Sequence, residues 1–197
     1  ILPVLLVLVL LATTITGCGG GGNGGEGGTD SEPFKVGAIY PLSGANALLG
    51  NQCLTAVKIA VDMVNEAGGV HGRQVQLIEA DAPDPTAATT EAGRLVDQQG
   101  VEIIFGSLAS GNAIAIAGVT ERTGVSLVES GGVADALTDS GFKNVFRILD
   151  KGSLRGATGA NYVGTAIADM LGIAPSDLRV AIIHEESSYG TSVADGA

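Results

Sequence analysis

A serine at a helix start, with free backbone amides following it, is suited to holding a carboxylate at the positive end of the helix dipole. Ser110 is such a residue. It follows Gly106-Ser107-Leu108-Ala109 and precedes an apolar helical pattern over 112–122. The same hydroxyl could instead simply cap that helix, and spacing alone does not separate the two roles. Two further loops share this small-residue character, Pro41-Leu42-Ser43-Gly44-Ala45-Asn46 and Glu129-Ser130-Gly131-Gly132-Val133. Small side chains let amides and hydroxyls approach a ligand closely, although Gly131 and Gly132 would equally serve a plain turn.

The elements that position these loops alternate along the chain. The pattern predicts a strand over 35–40, stopped by Pro41, then a helix over 51–67 with Leu54, Val57, Val61 and Val64 on one face. Gly68 and Gly69 end that helix. A strand is expected over 74–80, a helix over 86–98 with Gly100 beyond it, and strands over 102–105 and 125–128 either side of the 112–122 helix. A fifth strand is expected over 144–149. Strands alternating with helices imply an α/β fold with right-handed crossovers and a parallel sheet covered on both faces. Ligands of such sheets bind beyond the C-terminal strand ends, where the three loops fall. After Asp150 the pattern begins again, with a helix over 156–171, a strand over 179–184 and a helix starting near Tyr189.

The N-terminal residues carry a different signal. Residues 1–12 are apolar and uncharged and lead into Ile15-Thr16-Gly17-Cys18. A signal h-region has this length, whereas a spanning helix needs roughly 20 apolar residues. The segment resembles the tail of a bacterial lipoprotein export signal, and Ile15-Thr16-Gly17-Cys18 resembles the lipobox, whose cysteine is lipidated. An uncleaved membrane anchor is the alternative; either places the remainder outside the cytoplasmic membrane. No Met or basic region precedes Ile1, so the start is expected to be a fragment. Residues 18–33 are rich in glycine and are expected to form a flexible linker.

No residue before Glu26 is charged, so the net charge of -11 falls wholly on the exported part. An acidic body argues against nucleic acid and against binding to anionic lipid. Membrane contact is expected through the lipid on Cys18, which must carry more than one acyl chain to anchor stably. With Cys18 lipidated, Cys53 has no partner for a disulfide. No Lys, Arg or His stands beside it, so a small buried residue is expected there rather than a reactive thiol.

Two blocks carry a resemblance to a known family. One is Lys35-Val36-Gly37-Ala38-Ile39-Tyr40-Pro41-Leu42-Ser43-Gly44; the other runs from Ala60 to Arg73 through Asn65-Glu66-Ala67-Gly68-Gly69-Val70-His71-Gly72. They resemble the branched-chain amino acid (Leu/Ile/Val)-binding protein family of ABC importers. The likeness continues through Asp81-Ala82-Pro83-Asp84-Pro85, residues 106–110, Leu137-Thr138, Phe146-Arg147 and Ser188-Tyr189-Gly190. It implies a type I periplasmic binding protein, with two α/β lobes of parallel sheet flanked by helices that close on a small ligand. Residues 1–17 would be the signal peptide, 18–33 the linker, 34–150 the first lobe, and 151–197 the start of an incomplete second lobe. By this resemblance Ser110 holds the ligand carboxylate, and Gly131 and Gly132 contact the ligand through their backbone. Val133 stands where amino-acid-binding members often carry Thr or Ser, and lacks their hydroxyl. Tyr189 closes over the ligand from the second lobe; read without the resemblance, it is an ordinary residue at a helix start. The acidic partner for a ligand ammonium is expected after Ala197.

Catalytic patterns are weak by comparison. Gly68-Gly69-Val70-His71-Gly72 follows a helix rather than a strand, unlike a dinucleotide fingerprint. His71 and His184 are far apart and no metal role is expected of them. Asp81 and Asp84 flank Pro83 and suit a turn better than a calcium site, and Arg147 and Glu121 read as solvated or interlobe charges. No enzyme activity, metal or cofactor is expected. The expected partners are an amino-acid-like small molecule, the permease subunits of an importer, and the membrane through the lipid. The alternatives are an amide, urea or aromatic-acid receptor on the same fold, or the ligand-sensing domain of a signalling receptor.

Overall fold

The structure is a computed structural model that describes residues 32–197. The expected signal, Cys18 and nearly all of the expected linker lie outside the described residues.

β1 (Phe34–Tyr40) buries both of its faces, as strands of parallel sheets do. Ala38 and Tyr40 point to one side and Ile39 to the other. Pro41 ends the strand, and α1 (Ala47–Glu66) starts close against it. A side chain at Gly50 would place its Cβ 1.9 Å from the Pro41 carbonyl oxygen. At 20 residues α1 is long and apolar enough to cross a bilayer by composition, yet here it packs on β1 and β2 with Leu54 buried.

β2 (Val75–Asp81) leads to α2 (Pro85–Arg94), where Asp84 caps the helix by accepting from the Ala87 amide at 2.8 Å. Pro85 occupies the first turn, where its missing N–H costs nothing. One π turn, Leu95–Gln99, extends the helix to Gly100 at φ +66°. β3 (Ile103–Gly106), α3 (Ser110–Thr123), β4 (Ser126–Glu129), the short α4 (Ala136–Asp139) and β5 (Val145–Arg147) follow.

All five strands are parallel, in the order β2-β1-β3-β4-β5. The chain turns to one side after β1 and builds to the other from β3. The crevice of this topology therefore opens at the C-terminal ends of β1 and β3. The larger core lies between the sheet and α2 and α3, where Leu95, Ile104, Ile116, Leu127 and Leu137 are fully buried. A smaller cluster of Ala38, Tyr40 and Leu54, with Cys53 packed against it, lies under α1.

Beyond Asp150, α5 (Gly152–Tyr162) continues through a π turn at Val163–Ile167 into α6 (Ala168–Leu171), and α7 (Ser188–Gly196) closes the chain. α7 seats on α5 so closely that a Cβ at Gly156 would lie 1.9 Å from the Val193 carbonyl oxygen. The strand expected over 179–184 does not form. Val180, Ile182 and Ile183 are exposed there, and among the described residues no strand lies alongside to complete a ladder.

Candidate functional site

The three small-residue loops meet at the crevice, and each is held by long-range hydrogen bonds. Asp81 at the end of β2 accepts from the amides of Leu42 (2.7 Å) and Ser43 (3.2 Å), fixing the loop after β1. Asp81 and Asp84 thus shape the chain, as their places beside Pro83 suggest. Tyr40, buried at the end of β1, shares a 3.0 Å hydrogen bond with the Ser130 hydroxyl. Burial pushes the Tyr40 phenol up to about 12, so the group stays neutral. The Ser130 amide donates to the Gly106 carbonyl at 2.7 Å, joining the β3 and β4 loops.

Ser110 is the first residue of α3, and the cap position belongs to Ala109, which has no side-chain capping bond. The capping role left open by spacing is therefore not the one Ser110 plays. Its Oγ accepts instead from the amides of Val133 and Ala134, each at 3.1 Å. A hydroxyl has two lone pairs and one proton. With both lone pairs engaged, the proton is the capacity that remains, and no acceptor among the described residues takes it. Beside it, Gly111 and Asn112 lie in the first turn of α3, where amides lack intrahelical acceptors.

Glu129, at the end of β4, is fully buried. Its Oε1 accepts from the amides of Ser107 (2.8 Å), Gly131 (2.6 Å) and Gly132 (2.6 Å). Burial pushes the Glu129 carboxyl above the usual carboxylate range, while these amides pull it the other way. The glycines are required by proximity: a Cβ at Gly131 would lie 2.3 Å from the Leu108 Cα, and one at Gly132 2.9 Å from the Ala113 Cβ. Leu108 itself takes φ +86°, a conformation unusual for a leucine.

Ser110, Gly131 and Tyr189 line one cavity of about 490 Å³. Its wall also includes Asn46, Leu49, Leu108, Arg155 and Glu185. Tyr189 enters from the first turn of α7 and is 44% exposed, so its ring is available from the cavity side. Gly132 and Val133 stand behind this wall. The Gly132 amide is committed to Glu129 and the Val133 amide to Ser110, and the Val133 side chain is wholly buried. Sequence reasoning did not single out Leu49, Leu108, Arg155 or Glu185. Arg155 is paired with Asp150 through Nε and Nη2, the latter at 2.8 Å. Glu185 accepts from the Ser187 hydroxyl at 2.6 Å.

Two charges expected to be solvated or interlobe have structural partners instead. Glu121 accepts from the Lys143 and Asn144 amides before β5, and Arg147 donates to the Ala134 carbonyl and the Thr138 hydroxyl. Among the described residues, no cluster of three or more His, Cys, Asp or Glu is arranged to hold a metal.

The sheet is parallel, and its switch-point loops bring a hydroxyl proton and free amides to an open cavity. Residues 33–197 match the family described as periplasmic binding protein, and the chain belongs to it. Among similar proteins are ones named Leu/Ile/Val-binding protein homologs, the family the sequence resembles. The Leu/Ile/Val-binding protein homolog 7 of Brucella abortus (strain 2308) is 42% identical over 164 residues, covering 83% of this chain and 41% of that protein. The leucine binding protein LivK of Thermotoga maritima has the same fold, with a TM-score of 0.68 at 25% identity, over 82% of this chain and 43% of that one. LivJ, the branched-chain amino acid transporter substrate binding protein of Streptococcus pneumoniae, solved in complex with isoleucine, gives a TM-score of 0.65 at 28% identity. That match covers 68% of this chain and 38% of LivJ. The chain thus spans about two fifths of the length of the relatives it matches.

Proposed function

We propose that this chain is the ligand-binding part of an extracytoplasmic receptor that delivers a small, amino-acid-like carboxylate to an ABC importer. The observation that carries this reading is the Ser110 hydroxyl, saturated as an acceptor by Val133 and Ala134 and left with one proton at the cavity wall. A ligand carboxylate there would receive that proton and the free amides of α3 as charge-assisted hydrogen bonds. Leu49 and Leu108 give an aliphatic side chain an apolar wall, and Tyr189 covers the ligand from α7. Gly131 contributes its backbone at the wall; Gly132 and Val133 act one layer back, by holding that wall in place. The kinship with LivK and LivJ supports a branched-chain amino acid as the ligand.

In the same reading residues 1–17 are an export signal, Cys18 carries the lipid, 18–33 tether the receptor to the membrane, 34–150 are the first lobe, and 151–197 begin the second. Calorimetry with L-leucine and with L-leucinamide tests the ligand class. L-leucine should bind, and the amide, which presents an N–H₂ to a site of donors, should bind at least about a hundredfold more weakly. Equal binding of the two would contradict the carboxylate assignment.

A further inference from the structure

Glu129 touches neither the cavity nor any cation, yet it joins the two loops on which the site depends. Its Oε1 gathers the Ser107 amide from the loop that leads into Ser110, and the Gly131 and Gly132 amides from the loop that leads into Val133 and Ala134. Those last two residues hold the Ser110 hydroxyl. Carboxyl and hydroxyl are therefore the two ends of one brace between the β3 and β4 loops. Oε2 is buried without a partner among the described residues.

We propose that Glu129 is the positioning residue of this site, fixing the separation of the β3 and β4 loops and so aiming the Ser110 hydroxyl proton into the cavity. The inference rests on Ser110 facing a ligand, as argued above. Three donors converge on one oxygen, and a neutral carbonyl offers only two lone pairs, so the arrangement favours the negative charge of a carboxylate. Burial opposes that charge. The titratable groups that the Glu129 charge reaches are Tyr40 of β1 and Cys53 of α1, both raised by burial and neutral near pH 7. Charge state and loop geometry are thereby coupled: ionisation tightens the three amide bonds, and protonation loosens them.

The test needs no ligand. In the isotopically labelled full chain, the amide resonances of Ser107, Gly131 and Gly132 are followed by NMR from about pH 5 to about pH 8. They should move together in one step above the usual carboxylate range, and the step should vanish in Glu129→Gln. In Glu129→Ala, the Val133 and Ala134 amides should exchange at least about tenfold faster than in the wild type, because their acceptor is no longer held in place. Amides that follow no common titration, or unchanged Val133 and Ala134 exchange in Glu129→Ala, would overturn the proposal. Should Glu129→Ala not fold, the comparison of wild type with Glu129→Gln decides it. L-leucine calorimetry on the wild type separately tests the functional reading, so a failure there leaves the loop measurement standing on its own.

Discussion

The Val133 amide donates to the Ser110 hydroxyl oxygen across 3.1 Å, joining two loops that are 23 positions apart in sequence. The Ala134 amide does the same, so the oxygen has no lone pair to spare. The consequence is directional. Ser110 is left able to give a hydrogen bond but not to accept one, the direction that the proposed carboxylate ligand needs.

The buried carboxyl makes stability depend on pH. Burial raises the Glu129 carboxyl, and the Gly132, Ser107 and Gly131 amides only partly offset the rise. The folded protein therefore keeps this proton to a higher pH than the unfolded chain does. Its stabilising contribution is full below the unfolded value of about 4.3 and is lost as pH rises through the folded value. Asp150 behaves oppositely: its hydrogen bond with the Arg155 guanidinium holds it below the usual range, so its contribution is lost only as pH falls further. The two windows do not overlap. Denaturant unfolding from about pH 5 upward should show declining wild-type stability, and Glu129→Gln should flatten the decline. An identical slope in the two proteins would contradict this.

Gly131 and Gly159 form a matched pair for a packing test. A methyl group at Gly131 meets the Leu108 backbone at 2.3 Å, and Leu108 is already held at φ +86°. Gly131→Ala should cost about 1–3 kcal/mol or more in stability. Nothing lies within 4 Å of a methyl group at Gly159, in the body of α5. Gly159→Ala should stabilise by about 0.5–1 kcal/mol through helix propensity. Thermal melts of both variants check the contrast, and equal effects would mean that the two loops are not in tight contact.

Much of the sheet was legible in the sequence because its strands are short, apolar and flanked by Pro or Gly; Ile39, Ile104 and Leu127 are where the pattern placed them. Ser110 was legible as a helix-start serine, but its two amide donors come from a loop 23 and 24 positions away, beyond the reach of local spacing. Glu129 left a fainter sign. It lies two residues after Leu127 on the same strand, so period two puts both on one face, and Leu127 is core. A charged residue ordinarily faces solvent, and the three converging amides account for its burial. Glu121 and Arg147 misled for the same reason, since a charge that ties down a distant loop looks in sequence like any solvated charge. The 179–184 segment has the composition of a strand, but composition does not supply the neighbour a strand must bond to.

We propose lipid attachment at Cys18 because Ile15-Thr16-Gly17-Cys18 follows an apolar run and resembles a lipobox. Expressed with a complete signal in a bacterial host, the protein should partition into detergent and take up labelled fatty acid, and Cys18→Ser should abolish the label. Labelling that survives the substitution would rule out this attachment site.

The central claim is that the Ser110 proton meets the ligand. The most direct measurement is L-leucine affinity by calorimetry for the wild type and Ser110→Ala, with melting temperatures taken on the same samples. Removing the hydroxyl leaves the Val133 and Ala134 amides without their acceptor and should lower stability by about 1–3 kcal/mol. The ligand loses a charge-assisted hydrogen bond, so affinity should fall by about tenfold or more at a temperature where both proteins are folded. A Ser110→Ala protein that melts earlier but binds L-leucine as tightly as the wild type would contradict the claim and leave Ser110 as a brace between loops.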